Sequence, residues 1–168
     1  MKRLAIPVAI VLTLGLSGCG GSSSTSPSPS TITVFTVQLS PANEAPPITD
    51  AEASGRGTAV ITVHSDTNTV DFNVSVNGFP TSTTLILAHI HGPVAAPGTA
   101  GVVVNTNINS TNAVNQGIAS NGSGTFSVTG VSGNTADIVP QILANPQNFY
   151  FNVHSTAHGG GVMRGFLR

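Results

Sequence analysis

Charged side chains are scarce in this sequence. Only 7% of its 168 residues are charged, the basic residues number five, and the formal net charge is -1. Nucleic-acid binding needs clustered Lys and Arg that displace counterions from phosphates. The composition therefore excludes a nucleic-acid partner, and it argues against electrostatic steering of a charged substrate.

Aromatic residues and cysteine are also rare. Tryptophan is absent and Phe and Tyr make up 5% of the chain, which argues against a stacking platform for bases or sugars. Cysteine occurs once, at Cys19, so no disulfide can form within the chain. A surface of Ser, Thr, Asn and Gly is left, as is typical of extracellular β domains.

Residues 1–18 have the pattern of a lipoprotein signal peptide. Lys2 and Arg3 form a positive amino-terminal region, and the apolar stretch from residue 4 to 16 is short for a bilayer-spanning helix. The sequence Leu-Ser-Gly-Cys at residues 16–19 matches a lipobox, which predicts cleavage before Cys19 and lipidation of its thiol. Two or more acyl chains give stable anchoring. The alternative is an ordinary signal peptide with a chance cysteine.

Residues 19–31 are interpreted as the lipidated cysteine followed by a tether. Gly20 to Thr31 contains Gly, Ser, Thr and Pro, with no apolar side chain to bury. We expect an extracytoplasmic protein whose lipid contacts the membrane of the cell envelope. Gly20 provides no inner-membrane retention Asp, which favours the outer membrane if the cell is Gram-negative.

From residue 32 to 168 the pattern is that of one all-β domain. Short runs rich in Val, Ile, Thr and Phe are separated by Gly, Asn and Pro, which favours an antiparallel Greek-key sandwich or barrel. One segment, residues 136–144, has a short helical pattern limited by Pro140. The predicted strands are 32–39, 58–64, 70–76, 85–91, 102–105, 125–128, 149–154 and 162–167.

Two of these strands alternate with period two. Val70, Phe72, Val74 and Val76 are apolar with polar residues between them, which indicates one buried and one solvated face. In residues 149–154, Phe, Phe and Val predict a core face, and Tyr, Asn and His a polar face.

The sequence His89-Ile90-His91 is the main candidate for chemistry. Residues i and i+2 of a strand project from one face roughly 7 Å apart, so two imidazoles can share a metal ion. His154, on the polar face of its strand, is the candidate third ligand if the two strands are neighbours. Three neutral nitrogens suit copper or zinc better than magnesium or calcium. The alternative is a solvated or structurally hydrogen-bonded histidine set, since no carboxylate partner is evident.

The remaining singled-out residues have weaker functional patterns. We interpret His64 as a surface residue. We interpret His158, beside three glycines, as a mobile loop residue; the alternative is that it is a fourth metal ligand. Arg164 lies among apolar neighbours and needs partners, for which Glu44 or Asp71 is the candidate. Its role is then structural, with guidance of a small anion as the alternative.

Several motifs resemble the CHRD domain, which is named from chordin and also occurs in bacterial secreted proteins. They are residues 39–47 (LSPANEAPP), Gly55, 88–93 (AHIHGP), 150–155 (YFNVHS) and 160–165 (GGVMRG). The resemblance implies an immunoglobulin-like β-barrel with limited similarity to copper/zinc superoxide dismutases. Val162 departs from the family, which usually has glutamate there, so interactions made by that glutamate are absent.

The dismutase similarity implies roles for four residues. By that analogy, His89, His91 and His154 are copper ligands and Arg164 guides the anion. The chain lacks a bridging histidine, a zinc loop and a disulfide, so we expect metal binding rather than dismutation. Two hypotheses stay open: a lipid-anchored domain that binds copper or zinc, or a non-catalytic structural or interaction module with an extracellular or periplasmic protein partner.

Overall fold

The computed structural model describes residues 32–108, 118–119 and 122–168. The predicted signal peptide, Cys19 and the tether lie outside the described residues. The described strands are β1 (Ile32–Leu39), β2 (Arg56–His64), β3 (Thr69–Asn77), β4 (Leu85–His91), β5 (Val102–Asn105), β6 (Ile118–Ala119), β7 (Ser123–Ser132), β8 (Tyr150–Ser155) and β9 (Met163–Phe166). They are accompanied by the helix α1 (Ile138–Ala144) and by 3-10 turns at Pro41–Asn43, Ala51–Ser54 and Pro146–Asn148.

The strands form two antiparallel sheets. One has the order β1-β2-β3-β7-β6 and the other the order β5-β4-β8-β9. The chain crosses between the sheets after β3, β5 and β7, so each sheet combines strands distant in sequence. The prediction of an antiparallel all-β sandwich is confirmed.

The core lies between the two sheets. The alternation in β3 is confirmed, because the four apolar side chains of Val70, Phe72, Val74 and Val76 are buried. Opposite them, Phe151 of β8 stacks on Phe72, with 5.4 Å between ring centroids. This contact joins the middle strands of the two sheets.

The predicted helical segment at residues 136–144 is confirmed by α1, which begins two residues later, at Ile138. Pro140 is the third residue of α1 and thus lies in the first turn, where its missing N–H costs no hydrogen bond. Strand boundaries differ from the predictions by a few residues, and β7 is longer, at Ser123–Ser132. Among the described residues, no helix combines the length and apolar character needed to cross a bilayer.

The polar face predicted for Tyr150, Asn152 and His154 lies on the outer side of the four-stranded sheet. It is nevertheless buried, as are all six residues of β8. Segments 40–55, 92–101 and 156–162 supply hydrogen-bond partners to this face. We call them the three covering loops. They convert the outer face of the sheet into a buried polar layer.

Candidate metal centre

The centre is built by the pairing of β4 with β8. The two strands are antiparallel, with His89 opposite Asn152 and Leu87 opposite His154. Because paired residues share a face, His89, His91 and His154 all project from the outer face of the sheet. The predicted proximity of these strands is therefore correct.

The three imidazoles form a compact cluster. One possible ligand atom from each of His89, His91 and His154 lies within 4.8 Å of the other two. Nδ1 of His89 is 3.2 Å from Nε2 of His154. The rings of His89 and His91 meet edge to face at 5.5 Å between centroids. All three side chains are buried, with exposures of 6%, 9% and 6% for His89, His91 and His154.

Backbone carbonyls of two covering loops set the tautomers of two rings. Nδ1 of His91 is 2.9 Å from the Ala100 carbonyl oxygen, and Nδ1 of His154 is 3.0 Å from that of Gly159. A carbonyl oxygen only accepts, so each Nδ1 carries the proton and each Nε2 keeps its lone pair. A second hydrogen bond of this kind orients a metal-ligating histidine and raises its basicity.

One of these lone pairs has no partner. Nε2 of His91 is buried and makes no hydrogen bond among the described residues. A buried nitrogen without a partner is costly, because it has lost its hydrogen bond to water. A metal ion would supply the missing interaction for His91. It would also replace the bond between His89 and His154.

Burial keeps the cluster neutral. It lowers the pKa of His89 from 6.5 to about 4, with a further lowering by His154 and His91. Burial also lowers the pKa of His91 and His154, against the opposing effect of their carbonyl partners. Neutral imidazole is the form that binds metal ions, so protons compete weakly for these nitrogens.

The geometry fits a first-row transition metal after a small adjustment. Two nitrogens bound to one zinc at 2.0–2.1 Å lie about 3.3–3.6 Å apart in tetrahedral or trigonal geometry. The 3.2 Å pair of His89 and His154 is close to that spacing. The 4.8 Å span of the cluster has to shrink by about 1.2–1.5 Å to reach this spacing. Three nitrogen donors without a carboxylate suit copper or zinc.

The other two histidines lie outside this cluster. Nε2 of His64 is 2.9 Å from Asp71, and Nε2 of His158 is 2.9 Å from Asp50. His158 also donates its backbone N–H to the Ser155 hydroxyl at 3.0 Å. His158 is therefore bonded to a neighbouring covering loop and to β8, and it is not a member of the three-histidine group.

Arg164 lies on the same outer face, opposite Asn152 in the register of β8 and β9. It is 1% exposed, and its carboxylate neighbour is Glu44, with Nε to Oε2 at 3.9 Å. Asp71, the other predicted partner, instead accepts from the Gly130 N–H at 2.7 Å. The guanidinium donates to the carbonyl oxygens of Asn43 (2.6 Å), Gly98 (3.0 Å) and Pro97 (2.6 Å). This burial and bonding favour the structural role over anion guidance.

Glu44 and Asn152 complete the buried polar layer. Oε1 of Glu44 and Oδ1 of Asn152 are buried without hydrogen-bond partners among the described residues. Burial raises the pKa of Glu44 from 4.5 to about 7, although Arg164 opposes the change. Val162, by contrast, is fully buried in the hydrophobic core.

Sequence reasoning missed the partners of the histidines. Carboxylate partners were sought, whereas the observed partners are the carbonyl groups of Ala100 and Gly159. A backbone carbonyl has no sequence signal. Tyr150, whose ring stacks on His91 at 4.9 Å, was also missed. It is the single tyrosine of the sequence and lies on the predicted polar face, which is a weak indication of a role near His154.

Comparison with protein families places this architecture and these motifs in one class. The CHRD domain matches residues 35–167, which is most of the chain and all three histidines of the cluster. The chain belongs to the CHRD domain family. No match was found among curated proteins or among solved structures.

Proposed function

We propose that this protein is a lipid-anchored, extracytoplasmic CHRD domain that binds one copper ion through His89, His91 and His154. Zinc is the alternative metal. The observation that carries the proposal is the buried Nε2 of His91, which has no partner and belongs to a cluster of three converging ring nitrogens. Copper is preferred because nitrogen sites bind Cu²⁺ more tightly than the other divalent first-row metals.

The anchoring part of the proposal rests on the amino-terminal sequence. The positive residues Lys2 and Arg3, the short apolar stretch and the lipobox ending at Cys19 support export and lipidation. A domain held at the envelope meets metal ions before they enter the cell. Sequestering or buffering copper is the role we propose for it.

The competing function is a structural or protein-interaction module without metal. It is favoured by the 3.2 Å contact of His89 with His154 and by the carbonyl bonds that tie two loops to the sheet. These contacts need no ion. However, they leave Nε2 of His91 buried and unpartnered, which a metal-binding role explains and a purely structural role does not.

The test is copper stoichiometry in the double variant His89→Ala/His91→Ala. We expect the wild-type protein, purified with detergent from the envelope, to retain about one copper after dialysis, and the variant to retain none, because three ligands are reduced to one. Elemental analysis and a copper titration measure both. His64→Ala is the matched control, since His64 pairs with Asp71 outside the cluster.

Two results decide against the proposal. A wild-type protein that holds no copper or zinc above background removes the metal-binding function. The second result is a wild-type melting temperature that copper does not raise, together with a double variant whose melting temperature is lowered equally with and without metal. That result supports the structural module instead.

A further inference from the structure

A stack of three side chains leads from the edge of the sheet to the metal centre. The guanidinium carbon of Arg164 lies 4.8 Å from the centroid of the Tyr150 ring. On β4, the His91 ring is stacked on Tyr150 at 4.9 Å with an interplanar angle of 5°. Tyr150 is 2% exposed, so this stack is shielded from water.

Two of these side chains, Tyr150 and His91, also hold one residue of a covering loop, Ala100. The backbone N–H of Ala100 donates to the Tyr150 hydroxyl at 3.3 Å, and the Ala100 carbonyl accepts from Nδ1 of His91 at 2.9 Å. Tyr150 and His91 therefore contact each other and also bind opposite sides of one residue. This closed arrangement leaves the His91 ring little freedom to rotate about its side-chain bonds.

Arg164 holds the middle of that loop. Its two terminal nitrogens donate to the carbonyl oxygens of Pro97 and Gly98, two to three residues before Ala100. Its Nε donates to Asn43 in a second covering loop. Every nitrogen of the guanidinium is thus committed to a backbone carbonyl. The planar fork of Arg is needed for this pattern, which Lys cannot reproduce.

We propose that Tyr150 and Arg164 are positioning residues that fix the His91 imidazole, and with it the coordination geometry of the three-histidine centre. This inference rests on the proposed function, because it assigns these residues to the same metal site. Neither residue is a ligand. They hold Nε2 of His91 toward the cluster, so that the ring does not have to be ordered when the ion binds.

The test compares Tyr150→Phe with wild type. The variant keeps the stacked ring and removes the hydroxyl that accepts from Ala100. We expect copper affinity to fall about 10-fold, as for other partners of metal-ligating histidines. The Cu²⁺ electron paramagnetic resonance spectrum should change its hyperfine splitting. Thr83→Val is the matched control, since it removes a buried hydroxyl that bonds Glu52 and no imidazole.

A second measurement uses metal-free protein. In ¹⁵N-histidine NMR, the Nδ1 proton of His91 should exchange faster with water in Tyr150→Phe, because the Ala100 peptide is less restrained. Arg164→Lys should have a similar effect, since it keeps the charge and loses the fork. Melting temperatures of the variants establish that each is folded.

The outcomes separate the two proposals. Wild-type protein that binds no copper defeats the proposed function, while the NMR comparison still decides whether Tyr150 restrains His91. Wild-type protein that binds copper, with unchanged affinity, spectrum and proton exchange in Tyr150→Phe, overturns the positioning role. A loss in Tyr150→Phe that Thr83→Val reproduces also overturns it.

Discussion

Glu44 and His89 are buried groups whose protonation responds to folding in opposite directions. Folding raises the pKa of Glu44 to about 7, whereas it lowers that of His89 to about 4. Between these values the folded protein keeps a proton on the carboxyl group and none on the imidazole. The neutral forms of both side chains are thus the ones that the buried polar layer accommodates.

The variant Glu44→Gln tests how protonation of Glu44 contributes to the stability of the metal-free protein. Because the folded-state pKa of Glu44 is raised, its contribution to stability is present below the unfolded value of 4.5 and is lost as the pH rises through about 7. The substitution removes this pH-dependent contribution. The difference in the free energy of unfolding, variant minus wild type, should therefore increase by about 3 kcal/mol from pH 4 to pH 8. Urea denaturation across this range measures the difference. A difference that is independent of pH would contradict the assignment.

His89 acts in the opposite sense. The unfolded chain binds a proton at this residue below pH 6.5, but the folded protein does so only below about 4. Stability therefore declines as the pH falls through this window, and His91 and His154 add to the decline because their pKa values are also lowered. In wild type, protonation of Glu44 offsets part of this loss of stability at low pH. The Glu44→Gln variant lacks the offset, so its stability should fall more steeply with decreasing pH than that of wild type.

At the scale of the elements, the covering loops are as important as the strands. Strands β4 and β8 set which face the histidines occupy, and the loops bury that face and supply the carbonyl groups. The loop at residues 156–162 needs glycine at Gly161, whose φ is +131°. A Cβ there would lie 2.6 Å from Nδ2 of Asn152 and 2.9 Å from Oε1 of Glu44.

The variant Gly161→Ala should therefore destabilise the domain. We expect a loss of about 2 kcal/mol or more from the strained backbone and the close contacts, measured as a lower melting temperature. The displaced loop also carries the Gly159 carbonyl that orients His154, so copper affinity should fall as well. Gly160→Ala is the matched control, because a Cβ at Gly160 meets nothing within 4 Å. Equal effects of the two substitutions would show that the loop has no such requirement.

At the scale of the whole molecule, the proposed membrane attachment and the proposed metal binding depend on different parts of the chain. The proposed anchor is at Cys19, whereas the CHRD match begins at residue 35. Acyl chains bind the membrane by burying CH₂ groups, which needs no contribution from the domain. Anchoring should therefore be removable without loss of copper binding.

The variant Cys19→Ser tests this separation. We expect the protein to leave the membrane fraction, because the only thiol available for acylation is gone. Cell fractionation, together with mass spectrometry of the wild-type amino terminus, measures the change. Copper stoichiometry serves as the internal control and should stay at the wild-type value. Membrane retention of Cys19→Ser would contradict lipid anchoring at this residue.

The sequence by itself determined the local features of this domain. Alternation in β3 is set by side chains two residues apart, so the strand and its core face are readable from a short segment. The same holds for the shared face of His89 and His91. The pairing of β4 with β8 was predicted as a condition for the site, and the register confirms it.

Only the tertiary structure decided how the outer face is used. The residues that cover it, such as Ala100, Gly159 and Asn43, act through backbone carbonyls, and these are the same in every residue type. Their positions depend on contacts between segments up to 121 residues apart, as between Arg164 and Asn43. Periodicity reports whether a side chain is polar, but the fold determines whether that polar side chain meets water or a buried partner.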